Sequence, residues 1–223
     1  MISLDKIVEG LRKGDGIGGP TMLAGIVADS LKARCCLDVE DLSSRYLAWW
    51  REGSFDTGPI FSLVFSRVDG GMRLAAAVRE VDELVGGQTA GCGPAHRSAP
   101  LAACPFIPSY QLPDLAREEA RITHWHPHAG DAAAIVVMLC RHLLEGQSWT
   151  KAKELVGQRS ETKNAYEAVM SRPLTDTGYS LDAVRAALHF MDGDDALAQA
   201  RKFAGGANYC PVIVGALIGS FGR

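Results

Sequence analysis

From Met22 to Ile218 the apolar residues recur at helical spacing, and no alternating run long enough to build a sheet interrupts them. Met22, Ile26, Val27, Ser30 and Leu31 share one face of a first helix that closes at Cys35-Cys36. Asp38 reads as the N-cap of the next, with Asp41 in its first turn, and that helix carries Leu42, Tyr46, Leu47, Trp49 and Trp50 to a stop at Gly53. Further helical windows fall at Ile60–Val68, Met72–Val85, Asp114–Ile122, Asp131–Leu144, Trp149–Val156, Glu161–Met170, Leu181–Met191, Asp194–Phe203 and Cys210–Ile218. The proline-rich stretch Leu101–Pro113 should be an irregular connection. The pattern predicts an all-α fold. Glycine and proline collect at Gly14–Pro20, Phe55–Pro59, Gly86–Pro100, His124–Gly130 and Gly205–Pro211, and loops held by a rigid helical scaffold are where sites are built.

A chain of 223 residues can bury one sizeable core without a second domain, so a single domain over residues 1–223 is expected. The net charge is −3 and the 23 basic residues are scattered, which offers no footprint for a phosphate backbone and argues against nucleic acid as a partner. Met1 to Lys6 lack the basic-then-apolar order of a signal peptide. Ala132–Leu144 is too short to span a bilayer and is interrupted by Arg141 and His142. A cytoplasmic protein with no membrane partner is the expectation. Six cysteines with no Cys-x-x-Cys spacing fit reduced thiols better than a disulfide framework or a zinc knuckle.

The stretch from Tyr46 through Trp49, Gly53 and Asp56 to Gly58 resembles the Tyr-x-x-Trp-x-x-x-Gly-x-x-Asp-x-Gly signature of the ADP-ribosylglycohydrolase family. Gly91-Cys92-Gly93-Pro94-Ala95-His96-Arg97 is similar to that family's Gly-Asn-Gly-x-x-Met-Arg loop, and Thr123-His124 to its Thr/Ser-His before a small-residue helix. Gly178-Tyr179 and the residues after it look like its penultimate helix, so matches in the same order cover nearly the whole chain. Two departures stand out. The opening Gly-Asp-Ala-x-Gly helix has no assigned counterpart before residue 20, which implies a domain trimmed at its N-terminus. The acidic runs that hold a magnesium pair in the family are replaced. Thr-Asp-Asp-Thr aligns with Gly18-Gly19-Pro20-Thr21, keeping only Thr21. Asp-x-Asp-Thr aligns with Ala207 and Tyr209, or with Gly206 and Asn208, depending on which anchor is used. Hard divalent cations need oxygen ligands, usually carboxylates, so no metal and no other cofactor is expected.

Asp56 matches the aspartate that the family places beside ADP-ribose, where a carboxylate acts as general base or stabilises an oxocarbenium-like charge; the alternative is an N-cap for the helix starting near Pro59. Gly91, Cys92 and Gly93 could present backbone N–H groups to an anion, with Arg97 adding a bidentate donor; the alternative for Arg97 is a structural salt bridge. His124, His126 and His128 alternate like metal ligands on an extended segment, but Pro127 and Gly130 point to the start of a helix, which leaves His124 as the site candidate. Cys210 and Cys92 fall in loops expected to converge, near His96, as nucleophiles with a lowered pKa or as buried thiols.

The resemblance implies an all-α orthogonal helical bundle and a hydrolase acting on an N-glycosidic or amide-like bond without a metal pair. In that reading Asp56 and His124 are catalytic, and Thr21, Gly91, Cys92, Gly93, His96, Arg97, Asn208, Tyr209 and Cys210 contact a small-molecule or ADP-ribose-like ligand. The alternative is a binding or regulatory module that keeps the cleft and has lost catalysis. Trp49, Trp50 and an unpaired apolar C-terminal helix are the features that would support a homodimer.

Overall fold

The structure, a computed structural model, describes residues 2–221, with side-chain surroundings from residue 4 onward. Among the described residues there are thirteen α-helices and no strand, as the periodicity predicts. The helices run α1 (Ile2–Asp15), α2 (Gly19–Arg34), α3 (Val39–Arg51), α4 (Pro59–Asp69), α5 (Leu74–Leu84) and α6 (Gly93–Arg97). A 3-10 turn (Ala99–Ala103) follows, then α7 (Leu112–Ala120), α8 (Pro127–Leu144), α9 (Trp149–Gln158) and α10 (Lys163–Met170). The chain ends with α11 (Ser180–Met191), α12 (Ala196–Phe203) and α13 (Cys210–Gly219). No helix among the described residues is long and apolar enough to cross a membrane.

Local chemistry sets the helix ends. Asp38 accepts from the Asp41 N–H at 2.9 Å, the N-cap expected from sequence, and Ser148 accepts from Lys151 N at 3.2 Å at the start of α9. Cys35 ends α2 in the left-handed conformation with φ 59°, an uncommon conformation for a residue with a Cβ. Helix α8 is the axis of the core: Ala132 through Cys140 are all buried, and α7, α6 and the 3-10 turn pack on it. A smaller apolar cluster of Val64, Ala77, Val78 and Val81 joins α4 to α5.

Helix α1 lies before the first helix expected from periodicity, and it is the partner of α13. An ideal Cβ on Gly10 would stand 2.3 Å from the Gly215 carbonyl oxygen, and one on Gly215 would stand 2.2 Å from that of Gly10. The two backbones touch there, which only glycine permits. The C-terminal helix is therefore not unpaired: Cys210 through Leu217 are buried, largely against α1. Trp49 and Trp50 are half-buried against the core, Trp49 edge-on to Phe55 and Phe61. Those features no longer argue for a homodimer.

Candidate functional site

The glycine-rich loops meet. A cleft of about 390 Å³ opens between the N-terminus of α2, the Asp56–Phe61 turn, the Gly91–Gly93 loop and the Gly206–Tyr209 segment. The Gly91 and Gly178 loops are clamped by the bonds Cys92 N to Gly178 O at 3.0 Å and Ser180 N to Ala90 O at 2.8 Å. Of the eleven residues singled out from sequence, Asp56, Gly91, Cys92, Gly93, His96, His124 and Tyr209 line this cleft, while Thr21, Arg97, Asn208 and Cys210 do not.

Asp56 is exposed at the rim with φ 51°, and its Oδ1 accepts a hydrogen bond from the Tyr209 hydroxyl across 153 positions of sequence. It does not cap α4. The N-cap there is Gly58, without a side-chain bond, and Thr57 pairs with Ser62 instead. A non-glycine residue in the left-handed region is worth a functional question, and the energetic cost falls least on Asp and Asn. Burial and the adjacent Asp56 carboxylate push the Tyr209 phenol above its usual pKa, so it stays a proton donor in that bond.

His124 is buried to 5% exposure and sits behind the glycine loop, where a Cβ on Gly91 would lie 3.0 Å from its Nε2. Arg97 Nη2 donates to Thr123 Oγ1 at 2.8 Å, and Thr123 Oγ1 lies 2.7 Å from His124 Nδ1. A guanidinium can only donate, so the threonine hydroxyl accepts from it, and the buried hydroxyl has Nδ1 as the acceptor the structure records for its own proton. The tautomer with hydrogen on Nε2, the nitrogen beside the Gly91 loop, is the one that satisfies the Thr123 proton. Burial, then the Arg97 charge, holds the His124 pKa well below the usual histidine value. The ring is a neutral donor at neutral pH. His96, 3% exposed and packed against Tyr209 with ring centres 5.5 Å apart, is pushed down to about 3 by burial and by Arg97, and its Nδ1 has no partner.

Arg97 was expected to hold an anion, and its environment assigns it elsewhere. The guanidinium is 1% exposed, and its Nε donates to Glu119 Oε1 at 2.7 Å, with Glu119 fully buried. Tyr46 at 2.9 Å and Ser98 at 2.5 Å complete the coordination of the Glu119 carboxylate, and the Arg97 charge lies 5.5 Å from the Tyr46 ring centre. Asn208 caps α13 by accepting from Cys210 N at 2.9 Å. Cys210 is buried with its thiol pushed up to about 12, and Cys92, on the cleft wall, to about 11; burial is the main cause for both, so neither is an activated nucleophile. Thr21 turns away from the cleft, its N–H bonded to Asp15 Oδ2 at 3.0 Å and its own hydroxyl unpaired. His126 caps α8 by accepting from His128 N, and His128 meets the Tyr179 hydroxyl; the rings of His126 and His128 lie 4.7 Å apart, but among the described residues His124 does not join them in a group of three.

The residues at the expected metal position do not fit a magnesium pair. A Cβ on Gly19 would sit 2.1 Å from the Asp56 carbonyl oxygen, so the Asp56 turn occupies the space a ligand side chain would need. The nearby Asp15 carboxylate is bonded to the first turn of α2. Among the described residues no group of three or more His, Cys, Asp or Glu side chains comes together.

The family model for ADP-ribosylglycohydrolase matches residues 15–222. The chain belongs to that family. Its fold is also that of a solved structure described as an ADP-ribosylglycohydrolase-related protein complex, at 23% identity and TM-score 0.72, covering 99% of this chain and 87% of the other. Among curated proteins none matches. Asp15, whose carboxylate accepts from the Thr21 N–H at the start of α2, is the acidic side chain beside the expected metal position that the motif matches do not mark.

Proposed function

We propose that the protein is an ADP-ribosylglycohydrolase-like hydrolase of altered chemistry that cleaves an N-glycosidic bond without a metal pair. The observation that carries this reading is the Asp56–Tyr209 pair at the rim of a cleft whose floor presents His124 Nε2–H. Asp56 takes a proton from water as the water oxygen bonds to the anomeric carbon and the carbon–nitrogen bond breaks. The electron pair of the broken bond stays with the leaving nitrogen, which takes up a solvent proton where its charge requires one. The Asp56 carboxylate also stabilises the oxocarbenium-like charge that develops on the sugar. His124, neutral, orients the substrate as a hydrogen-bond donor and carries no proton between states.

Asp56→Asn tests the reading, because asparagine tolerates the left-handed backbone and keeps the side-chain shape. Turnover of a ribosyl N-glycoside should fall by about two orders of magnitude or more with an unchanged fold. Normal turnover by the variant would sink the catalytic assignment. The displaced metal carboxylates and the two uncharged imidazoles favour a second reading, a ligand-binding module, and saturable binding with no cleavage of any N-glycoside would establish it instead.

A further inference from the structure

We infer that the cleft selects a phosphate-free N-glycoside with a neutral or cationic base, and discriminates against ADP-ribose and other phosphorylated forms. The inference rests on the N-glycosidic reading above and narrows its substrate class.

The charges facing the cleft set the preference. Asp56 is the sole formally charged side chain among the described residues that line it. The nearest cation, Arg97, has Nη1 only 3.7 Å from where a Cβ on Gly93 would lie, yet Glu119 neutralises it from within the core. His96 and His124 are buried without charge. Two long helices begin at the cleft, and helix N-termini are natural anion sites. Both are already capped from inside: Asp15 takes the Thr21 N–H of α2 and Asn208 takes the Cys210 N–H of α13. Helix α4 opens on Pro59, which has no N–H to offer, and the uncapped N–H groups of Ile60 and Phe61 follow only four and five residues after the Asp56 carboxylate, so an anion drawn to them meets its charge. A phosphate entering here would lose its hydration, meet a like charge on Asp56 and find no countercharge in return.

The same walls suit an uncharged ring and sugar. Ile60 supplies apolar surface, with Leu23 and Phe61 buried in the wall beside it, and the Tyr209 ring, backed by His96, offers a stacking face. Gln88, His124 Nε2–H and Asp56 are the polar groups available to sugar hydroxyls. A cationic base would be drawn to Asp56. The volume of about 390 Å³ is near the lower end of ordinary ligand sites, on the order of 300–1,000 Å³, which favours one base and one sugar over two nucleoside halves joined by a diphosphate.

Calorimetric titration of the full chain with nicotinamide riboside, its 5′-phosphate and ADP-ribose tests the inference. The riboside should bind about tenfold or more tighter than either phosphorylated compound. In Asp56→Asn that discrimination should shrink, since the repelling charge is gone and the shape is kept. Equal or tighter binding of ADP-ribose would overturn the inference and leave the hydrolase reading standing. Absence of binding by all three compounds at millimolar concentration would overturn both.

Discussion

Glu119→Gln is the sharpest probe of how the site is held. The substitution preserves size and shape and removes one charge from a fully buried carboxylate whose oxygens take three side-chain bonds, from Arg97, Tyr46 and Ser98. Arg97, itself 1% exposed, would then be a buried cation without a countercharge. Breaking one side of a buried ion pair costs about 3–5 kcal/mol. For a chain of this length each kcal/mol lowers the melting temperature by about 2–4 °C, so a fall on the order of 10 °C is expected. Urea unfolding at pH 7.5 should show the same loss with an unchanged dependence on denaturant. The double variant Arg97→Met/Glu119→Leu should recover most of it, because well-packed apolar replacements of a buried pair are often neutral. If Glu119→Gln loses less than about 1 kcal/mol, or the double variant is as unstable as the single, the pair does not hold the core as described. Arg97 would then be free to serve the cleft.

Two further perturbations follow from the same structure. Histidine 96 has its pKa lowered to about 3 by burial, so its contribution to stability is complete above about pH 6.5, where the unfolded histidine is neutral, and is lost as pH falls toward 3. Between pH 7.5 and 5.0 that loss is about 2 kcal/mol, and in His96→Gln the difference between unfolding free energies at the two values should shrink by that amount; an unchanged difference refutes the assignment. Gly215→Ala pushes a methyl to within 2.2 Å of the Gly10 carbonyl oxygen and should cost about 1–3 kcal/mol. Gly25→Ala, on an open face of α2 with nothing within 4 Å, should stabilise by about 0.5–1 kcal/mol. Equal melting temperatures for the two alanine variants would remove the close contact between α1 and α13.

Much of the helical layout could be read from spacing, though not the short α6 within the Gly86–Pro100 loop or the 3-10 turn after it, and the missed α1 and the seemingly unpaired α13 have one cause. Leu4, Ile7 and Leu11 are buried at i, i+3 and i+7, an ordinary apolar stripe, but Gly10 and Gly14 beside them look like breakers. The run Cys210–Gly219, apolar all round, looks like a helix lacking a partner. Each supplies what the other lacks: glycines spaced by four on one helix face glycines spaced by four on the other. A close backbone contact is invisible in either segment alone, because its signature is the absence of side chains. Arg97 is a similar case. Nothing within its own loop tells whether the guanidinium faces ligand or core. The signal lay 22 residues away in Glu119, which shares the otherwise apolar face of α7 with Leu112 and Ala116, where a charge is tolerated only when paired.

The cleft itself was legible as a convergence of loops, but the polarity at its rim was not. Anchored on Gly205-Gly206, Tyr209 stands where the family pattern has an aspartate. A carboxylate there is an acceptor and holds a cation; a phenol at that place is a donor and holds an anion, and it binds Asp56. The same turn presses its backbone against Gly19, the position of another absent aspartate, so the replacement on one side and the replacement on the other are joined through Asp56. Restoring an aspartate at 209 alone would therefore set two carboxylates against each other without making room at Gly19, and Tyr209→Asp should destabilise the Asp56 turn without creating a magnesium site. Calorimetry with magnesium measures the second half of that statement directly. Stoichiometric binding by the single variant would show that the turn yields to a cation, and that the space at Gly19 is not closed by the fold.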